Sequence, residues 1–232
     1  MDSIRLNKYL ADSGLCSRRA ADDLIQAGKV SINNKVAKLG NRVYDGDRVE
    51  ANGSLITSIT KKVYYALNKP KGYICSANDE AGRQTCLMLV PNTPRVFTIG
   101  RLDVFSEGLI ILTNDGDFAQ AIIHPKNKIS KKYEIVVSGN PKVSKQLPEK
   151  FTTGFSIDGD FMKADNVAKI GESKNQKTFV VEIHQGFNRQ LRKMVAAMGL
   201  RVESLTRVSV GLLQIGDLAS GKCREISPKE VI

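Results

Sequence analysis

The stretch GRLDVFSEGLIILTNDG, residues 100–116, decides how the chain is read. Residues 96–99 before it form an extended apolar run, 109–112 are β-rich, and Asn114-Asp115-Gly116 is a turn signal. Two strands joined by a tight loop put Asp103 at a strand end, where a side chain can face a cleft. Arg101 stands two residues before it. A neighbouring cation favours the ionised form of a carboxylate, which then serves as nucleophile or base. Taken alone, R-x-D is an ordinary ion pair on a surface loop, and the surrounding sequence has to decide.

Downstream and upstream of this stretch, from residue 63, strands are expected at 63–67, 132–137, 178–183, 201–208 and 211–215. Helical patterns lie near 117–123, 141–150 and 188–198. Many strands with fewer, unevenly spaced helices predict an α+β domain with a mixed, mainly antiparallel sheet flanked by helices. In the last helix Leu191, Met194, Val195 and Met198 follow the i, i+3, i+4, i+7 spacing of a buried face, and Gly199 ends it. Arg192 sits at the edge of that apolar stripe, with Arg189 and Lys193 further toward the polar side. The helix by itself is an ordinary amphipathic element. Neither a G-x-G-x-x-G after a strand nor a G-K-[ST] loop is present, so no nucleotide cofactor or phosphoryl transfer is expected.

Residues 4–51 read as a separate small module. Leu6 and Leu10, then Leu24 and Ile25, supply the apolar positions of two short helices; Ser17 caps the second, and Gly14 and Gly28 end them. Val30 and Ile32, then Asn33-Asn34, then Val36 predict a hairpin, and Asp45-Gly46-Asp47 turns into a last strand. The domains are placed at 1–59 and 63–232, with a polar Ser- and Thr-rich link between 52 and 62. Arg5, Lys8, Arg18, Arg19 and Lys29 gather around the two helices, a face that can line a phosphate backbone or simply meet solvent.

The chain has 232 residues, with 35 Lys and Arg against 24 Asp and Glu, a net charge of +11. Residues 1–62 carry 11 basic against 7 acidic side chains and the remainder 24 against 17, so both modules favour a polyanion. The apolar runs are too short to cross a bilayer, and no stretch near the start reads as a secretion signal, so a cytoplasmic, non-membrane protein is expected. Cys16, Cys75, Cys86 and Cys223 are scattered without metal-ligand spacing and read as buried or idle thiols. With only His124 and His184 available, no metal site is expected.

The segment RLNKYLADSGLCSRRAADDLIQAGKVSINNKVAKLGNRVYDGDRVE resembles the small RNA-binding module named after ribosomal small-subunit protein four, the alpha-L motif. That module grips structured RNA by shape and backbone. LNKPKG, GRLDVFSEGLIILTNDG, HPKNKISKKYEI and EIHQGFNRQLRKMVAAMGLRVESLTRVSVG resemble the pseudouridine synthases, in the branch that modifies ribosomal RNA and carries this module. The resemblance implies that Asp103 is the essential catalytic aspartate. It further implies that Arg101 opens the RNA helix and displaces the base, that Tyr133 stacks on the extruded uracil, and that Arg192 pairs with the carboxylate. Arg189, with Leu205 and Asn68, lies in matching segments and shapes the site or meets RNA.

Isomerising uridine breaks the sugar–nitrogen bond, turns the base and rejoins it through carbon, which needs no cofactor and no metal. Asp103 attacking the sugar, attacking the base ring, or taking a sugar proton all start from the same carboxylate, and the sequence leaves them open. Glu107 stands four residues on, as in a glycosidase-type pair, although S-E-G-L reads as a structural turn. The expected partner is ribosomal RNA, favouring the large-subunit 23S species, and the expected state is a monomer. A 16S or transfer RNA uridine, and a non-catalytic ribosome-assembly factor, are the alternatives.

Overall fold

The computed structural model describes residues 3–56, 60–76, 82–91 and 93–232. The expected domain end at residue 59 lies outside the described residues. The chain divides into two units, the first running to Val63 and taking in Thr93–Arg95 and Asn114–Gly116, the second holding the rest. Asn114 binds the 60–63 segment by accepting from the Val63 N–H at 2.9 Å and donating to the Lys61 carbonyl at 2.9 Å.

In the first unit, helices Leu6–Asp12 and Arg18–Gln26 pack Leu6, Leu10, Ala21 and Ile25 against Val30, Val43, Val49 and Ala51. Ser17 accepts the Ala20 N–H at 3.1 Å, the expected cap. Gly14 and Gly28 take positive φ just past the helix ends. Asn33 and Asn34 both have φ above +50°, a two-residue turn matched to strand twist, and join Val30–Ile32 to Lys35–Val36. The sheet is completed by Val49–Ala51 and Ser54–Leu55.

The second unit is built on a nine-stranded sheet. Its order runs Asn166–Glu172, Gln176–Ile183, Lys131–Ser138, Arg201–Val210, Glu107–Thr113, Tyr64–Lys69, Cys223–Glu225, with Leu213–Gln214 and Phe97–Ile99 paired at the side. Among the described residues every strand pairing of this sheet is antiparallel except one, where Thr206 and Arg207 run parallel to Glu107 and Gly108. That short parallel contact is the seam between two cores. On one side helices Leu147–Thr153 and Gln190–Ala197 bury Phe151, Leu191, Met194 and Val195 against Ile135, Phe179 and Val181. On the other, helix Gly116–Ile123 buries Phe118 and Ile122 against Leu109, Ile111 and Ala66. Truncating one such buried Leu or Ile to Ala costs about 2–5 kcal/mol, so each half is a cooperative block.

Gly108 makes the seam possible. Its φ is +102°, and a Cβ there would stand 2.3 Å from the Arg207 carbonyl oxygen. Only a glycine permits so close an approach of two backbones.

Several features differ from expectation: in the first unit the strand Ser54–Leu55 falls inside the expected link, and Ser3–Arg5 pairs with Arg42–Tyr44. The 141–150 helix is two, Pro141–Lys145 and Leu147–Thr153, broken at Gln146 before Pro148. The hairpin Phe155–Ile157/Asp160–Met162 and the edge strands Asn166–Glu172 and Cys223–Glu225 were not expected. Their faces are largely solvated, so they lack the apolar alternation that betrays a strand.

Candidate active site

The loop between Phe97–Ile99 and Glu107–Thr113 carries Asp103 and is tied down at almost every residue. The Leu102 N–H donates to Cys75 Sγ at 3.4 Å, and the Gly72 N–H donates to the Val104 carbonyl at 2.8 Å. Arg192 Nη2 donates to the Phe105 carbonyl at 2.9 Å and to Ser106 Oγ at 3.1 Å. Lys69, wholly buried, donates from Nζ to the Ser106 carbonyl at 2.8 Å and to the Pro70 carbonyl at 2.9 Å. Within the loop the Ser106 N–H donates to the Asp103 carbonyl at 3.0 Å. A loop held this way spends little entropy ordering itself at the moment of reaction.

The Asp103 side chain is left 29% exposed between two guanidinium groups. Arg189 Nη1 lies 3.7 Å and Arg192 Nε 3.9 Å from Oδ2. Arg192 Nε is buried and has no hydrogen-bond partner, so a donor already desolvated points at the carboxylate without closing on it. Catalytic hydrogen bonds are often long before substrate arrives and tighten in the complex. Burial and the Arg189 guanidinium pull Arg192 below its ordinary pKa, and Asp103 pushes it back; an arginine stays charged throughout.

The two arginines come from one segment by different means. Arg192 projects from the edge of the buried stripe of Gln190–Ala197, its side chain 15% exposed. Arg189 is not on the helix. It precedes it with φ +52° in the left-handed region, a conformation that costs a non-glycine residue energy and is common where function demands it. Lys193, on the polar side, pairs with Asp158 at 2.7 Å.

Tyr133 is held by a residue the sequence did not single out. It sits on Lys131–Ser138 opposite Arg207, at a register shift of the strand pair. Arg207 is buried, donates from Nε to the Leu109 carbonyl at 2.7 Å and from Nη1 to the Tyr133 hydroxyl at 3.4 Å, and lies 6.0 Å from the ring centre. Its Nη2 is buried without a partner. The strand Arg201–Val210 carries polar residues along its length, so Arg207 left no signal in the sequence.

The other expected residues separate clearly. Arg101 is exposed on the Asp103 loop, and so is Phe105, at 65%. Glu107 is held by Lys71 at 3.4 Å and by the Thr206 hydroxyl at 3.4 Å. Leu205 is core. Asn68 donates to the Leu218 carbonyl at 2.7 Å, a structural bond. Arg5, Arg18, Arg19 and Lys29 are exposed in the first unit, and Lys8 pairs with Asp12 at 3.3 Å. Among the described residues no group of three His, Cys, Asp or Glu side chains is placed to hold a metal ion.

The chain that carries this site has counterparts among known proteins. The family model for RNA pseudouridylate synthase matches residues 63–197, and that for the S4 domain matches residues 4–49. The chain belongs to the RNA pseudouridylate synthases. The enzyme is therefore an isomerase with an S4 RNA-binding domain ahead of its catalytic fold. It is 38% identical over 231 residues to ribosomal large subunit pseudouridine synthase B of Bacillus subtilis (strain 168), covering 98% of this chain and 93% of that one. It is 38% identical over 234 residues to the dual-specificity RNA pseudouridine synthase RluF of Escherichia coli (strain K12), covering 99% and 78%. A crystal structure of a pseudouridylate synthase superposes on the synthase with TM-score 0.64 at 27% identity, covering 98% of this chain and 97% of that one.

Proposed function

We propose that the synthase converts a uridine of large-subunit ribosomal RNA to pseudouridine, with Asp103 as the catalytic carboxylate. The observation that carries this reading is Asp103 Oδ2 lying within 4 Å of both Arg189 and Arg192 on a loop fixed from four directions. The name of the Bacillus subtilis relative, nearly coextensive with this chain, favours the large-subunit target.

A stacked uridine must first leave the helix, at a cost of about a few kcal/mol. Stacking on the Tyr133 ring returns roughly 1–3 kcal/mol. Arg207 holds that ring from its hydroxyl end, so the stacking surface is set before the base arrives. Arg101, exposed on the same loop, takes the space the base vacates. Asp103 then acts on the sugar or the ring, and the bond between N1 and C1′ breaks. The detached uracil carries negative charge, which the Arg192 guanidinium stabilises; the base turns, C5 bonds to C1′ as Asp103 is released, the C5 proton leaves to solvent and N1 takes one up, so the product is an isomer of the substrate. Glu107 takes no part, because its carboxylate is engaged by Lys71 and Thr206.

Arg5, Lys8, Arg18, Arg19 and Lys29 carry the first unit's share of RNA affinity through phosphates. Arg18 and Arg19 open a helix, where the backbone dipole disfavours a cation and favours a phosphate. The protein works in the cytoplasm as a monomer; among the described residues no helix is long and apolar enough to cross a membrane. Tritium release from large-subunit RNA labelled at uridine C5 tests the whole reading. The reduced wild type should release tritium and Asp103→Asn should not; release by the variant would remove Asp103 from the chemistry.

A further inference from the structure

Two thiols meet beneath the Asp103 loop. Ile74 and Thr85 form a parallel bridge, with the Ile74 N–H donating to Gln84 and the Cys86 N–H to Ile74, each at 2.9 Å. This brings the next residue, Cys75, beside Cys86, with their sulfurs 4.0 Å apart. Both are buried, Cys75 at 8% exposure and Cys86 at none. Cys75 Sγ accepts two donors, the Cys86 S–H and the Leu102 N–H, and Leu102 is bonded directly to Asp103.

The third party is Lys69. A fully buried ammonium is costly without a counter-charge. Its hydrogen bonds go to two carbonyls, and no carboxylate reaches it within 4 Å among the described residues. The groups that support its charge are, in order, Cys75, Cys86, Glu107 and Asp103. The Cys86 S–H, the Leu102 N–H and the Lys69 charge all hold the Cys75 thiol well below the ordinary thiol range, and Cys86 is pushed up. Thiolate character beside a cation is the property of reactive cysteines.

We propose that Cys75 and Cys86 are a peroxide-responsive dithiol whose closure to a disulfide releases the Asp103 loop and switches the enzyme off. The Cys75 thiolate attacks hydrogen peroxide, the O–O bond breaks, and hydroxide leaves, taking up a proton from solvent to become water. The resulting sulfenic acid is attacked by the Cys86 sulfur; the S–S bond forms and the sulfenic oxygen leaves as a second water with the Cys86 proton. Two thiols are oxidised by two electrons and one peroxide is reduced. The sulfurs move from 4.0 Å to the S–S bond length of about 2.05 Å. Both consequences fall on the active site. Leu102 loses a charged acceptor, and Lys69, which also grips Ser106, loses the charge that supports it most. A thiol reductant reverses the step.

The full-length protein is exposed to hydrogen peroxide, digested without reductant and mapped by mass spectrometry, alongside hydrogen exchange and tritium release. A peptide linked through Cys75 and Cys86 is expected, absent in Cys86→Ser, with faster exchange across residues 100–106. Tritium release should fall by about a hundredfold, the loss that a misplacement of ~1 Å produces, and dithiothreitol should restore it. Oxidation without that linkage, or a linked protein with unchanged loop exchange, overturns the proposal. The activity arm rests on the role given to Asp103; the linkage and exchange arms do not, so failure of one reading is distinguishable from failure of the other.

Discussion

The two units use positive charge in opposite ways. In the first, Arg5, Arg18, Arg19 and Lys29 stand in solvent, where a cation is mobile, screened by salt and indifferent to base sequence. In the second, Lys69, Arg192 and Arg207 are largely buried, and each is tied to named backbone carbonyls. An exposed cation supplies affinity; a buried one fixes the position of whatever it holds. Binding and chemistry should therefore separate under mutation, and the following experiments try to break that separation.

The largest effect belongs to Asp103→Asn. It should lower tritium release by on the order of 10⁴-fold or more, the scale seen when one member of a catalytic unit is removed. RNA affinity, measured by filter binding, should stay within about threefold, because phosphate contacts dominate it. A comparable loss of affinity would mean that the charge of the site, not its chemistry, had been altered. Next comes Gly108→Ala. A Cβ 2.3 Å from the Arg207 carbonyl, at φ +102°, forces the parallel seam apart. Destabilisation of more than about 4 kcal/mol is expected in urea unfolding, confined to the transition that reports the second unit.

The same contrast explains what was legible in the sequence. Affinity elements announce themselves: Ser17 before Arg18-Arg19, and Asn33-Asn34 between Val30 and Val36, are local patterns, and both are observed as expected. The Asp103 loop was equally legible because its strands and turn are contiguous. Positioning elements were not. Arg207 is buried in a strand that reads as ordinary, and its meaning depends on Tyr133 across a sheet pairing 74 residues distant. Arg192 faces Asp103 as the resemblance implied, from a helix edge, whereas Arg189, brought there by a left-handed residue, was not expected to face it. Cys75 and Cys86 are buried, one of the two states expected of them, but their pairing was not legible: only the Ile74–Thr85 bridge makes them neighbours.

Arg207→Lys tests the positioning class directly. A lysine keeps the charge and cannot reach the Leu109 carbonyl and the Tyr133 hydroxyl together. The turnover number should fall by roughly 10- to 100-fold, as for supporting residues one contact removed from a site. KM should hold nearly steady, and Tyr133→Phe combined with it should add little. A purely structural arginine would instead lower melting temperature and leave the turnover of the folded fraction alone. For the affinity class, Arg18→Glu with Arg19→Glu should raise KM about tenfold or more without changing turnover. The slope of log affinity against log salt should fall by roughly 1.5 to 2, the share of two phosphate contacts. An unchanged slope would place the RNA on another face.

The smallest effect is a pH dependence that originates at the buried Cys75 thiol. The Cys75 thiol is lowered in the folded protein, chiefly by the Cys86 hydrogen bond, with help from Leu102, Lys69 and Arg207. A lowered acid contributes stability that is complete above its unfolded value, about 8.5, and is lost as pH falls through the folded value. Lys69, lowered by burial, contributes in the same direction: the unfolded state binds its proton more readily, so raising the pH favours the fold. Cys86 is pushed up and stays protonated across this range; Glu107 and Asp103 are the other charges that support Lys69. The free energy of unfolding in urea should therefore rise by about 1–3 kcal/mol between pH 6 and 8.5, at ~1.4 kcal/mol per pKa unit. Cys75→Ser should flatten that rise while leaving the first unit's RNA affinity untouched. A flat wild-type profile would show that the ammonium beneath the loop is balanced without the thiolate, and that the charge in the second unit is stabilised by its carbonyl bonds alone.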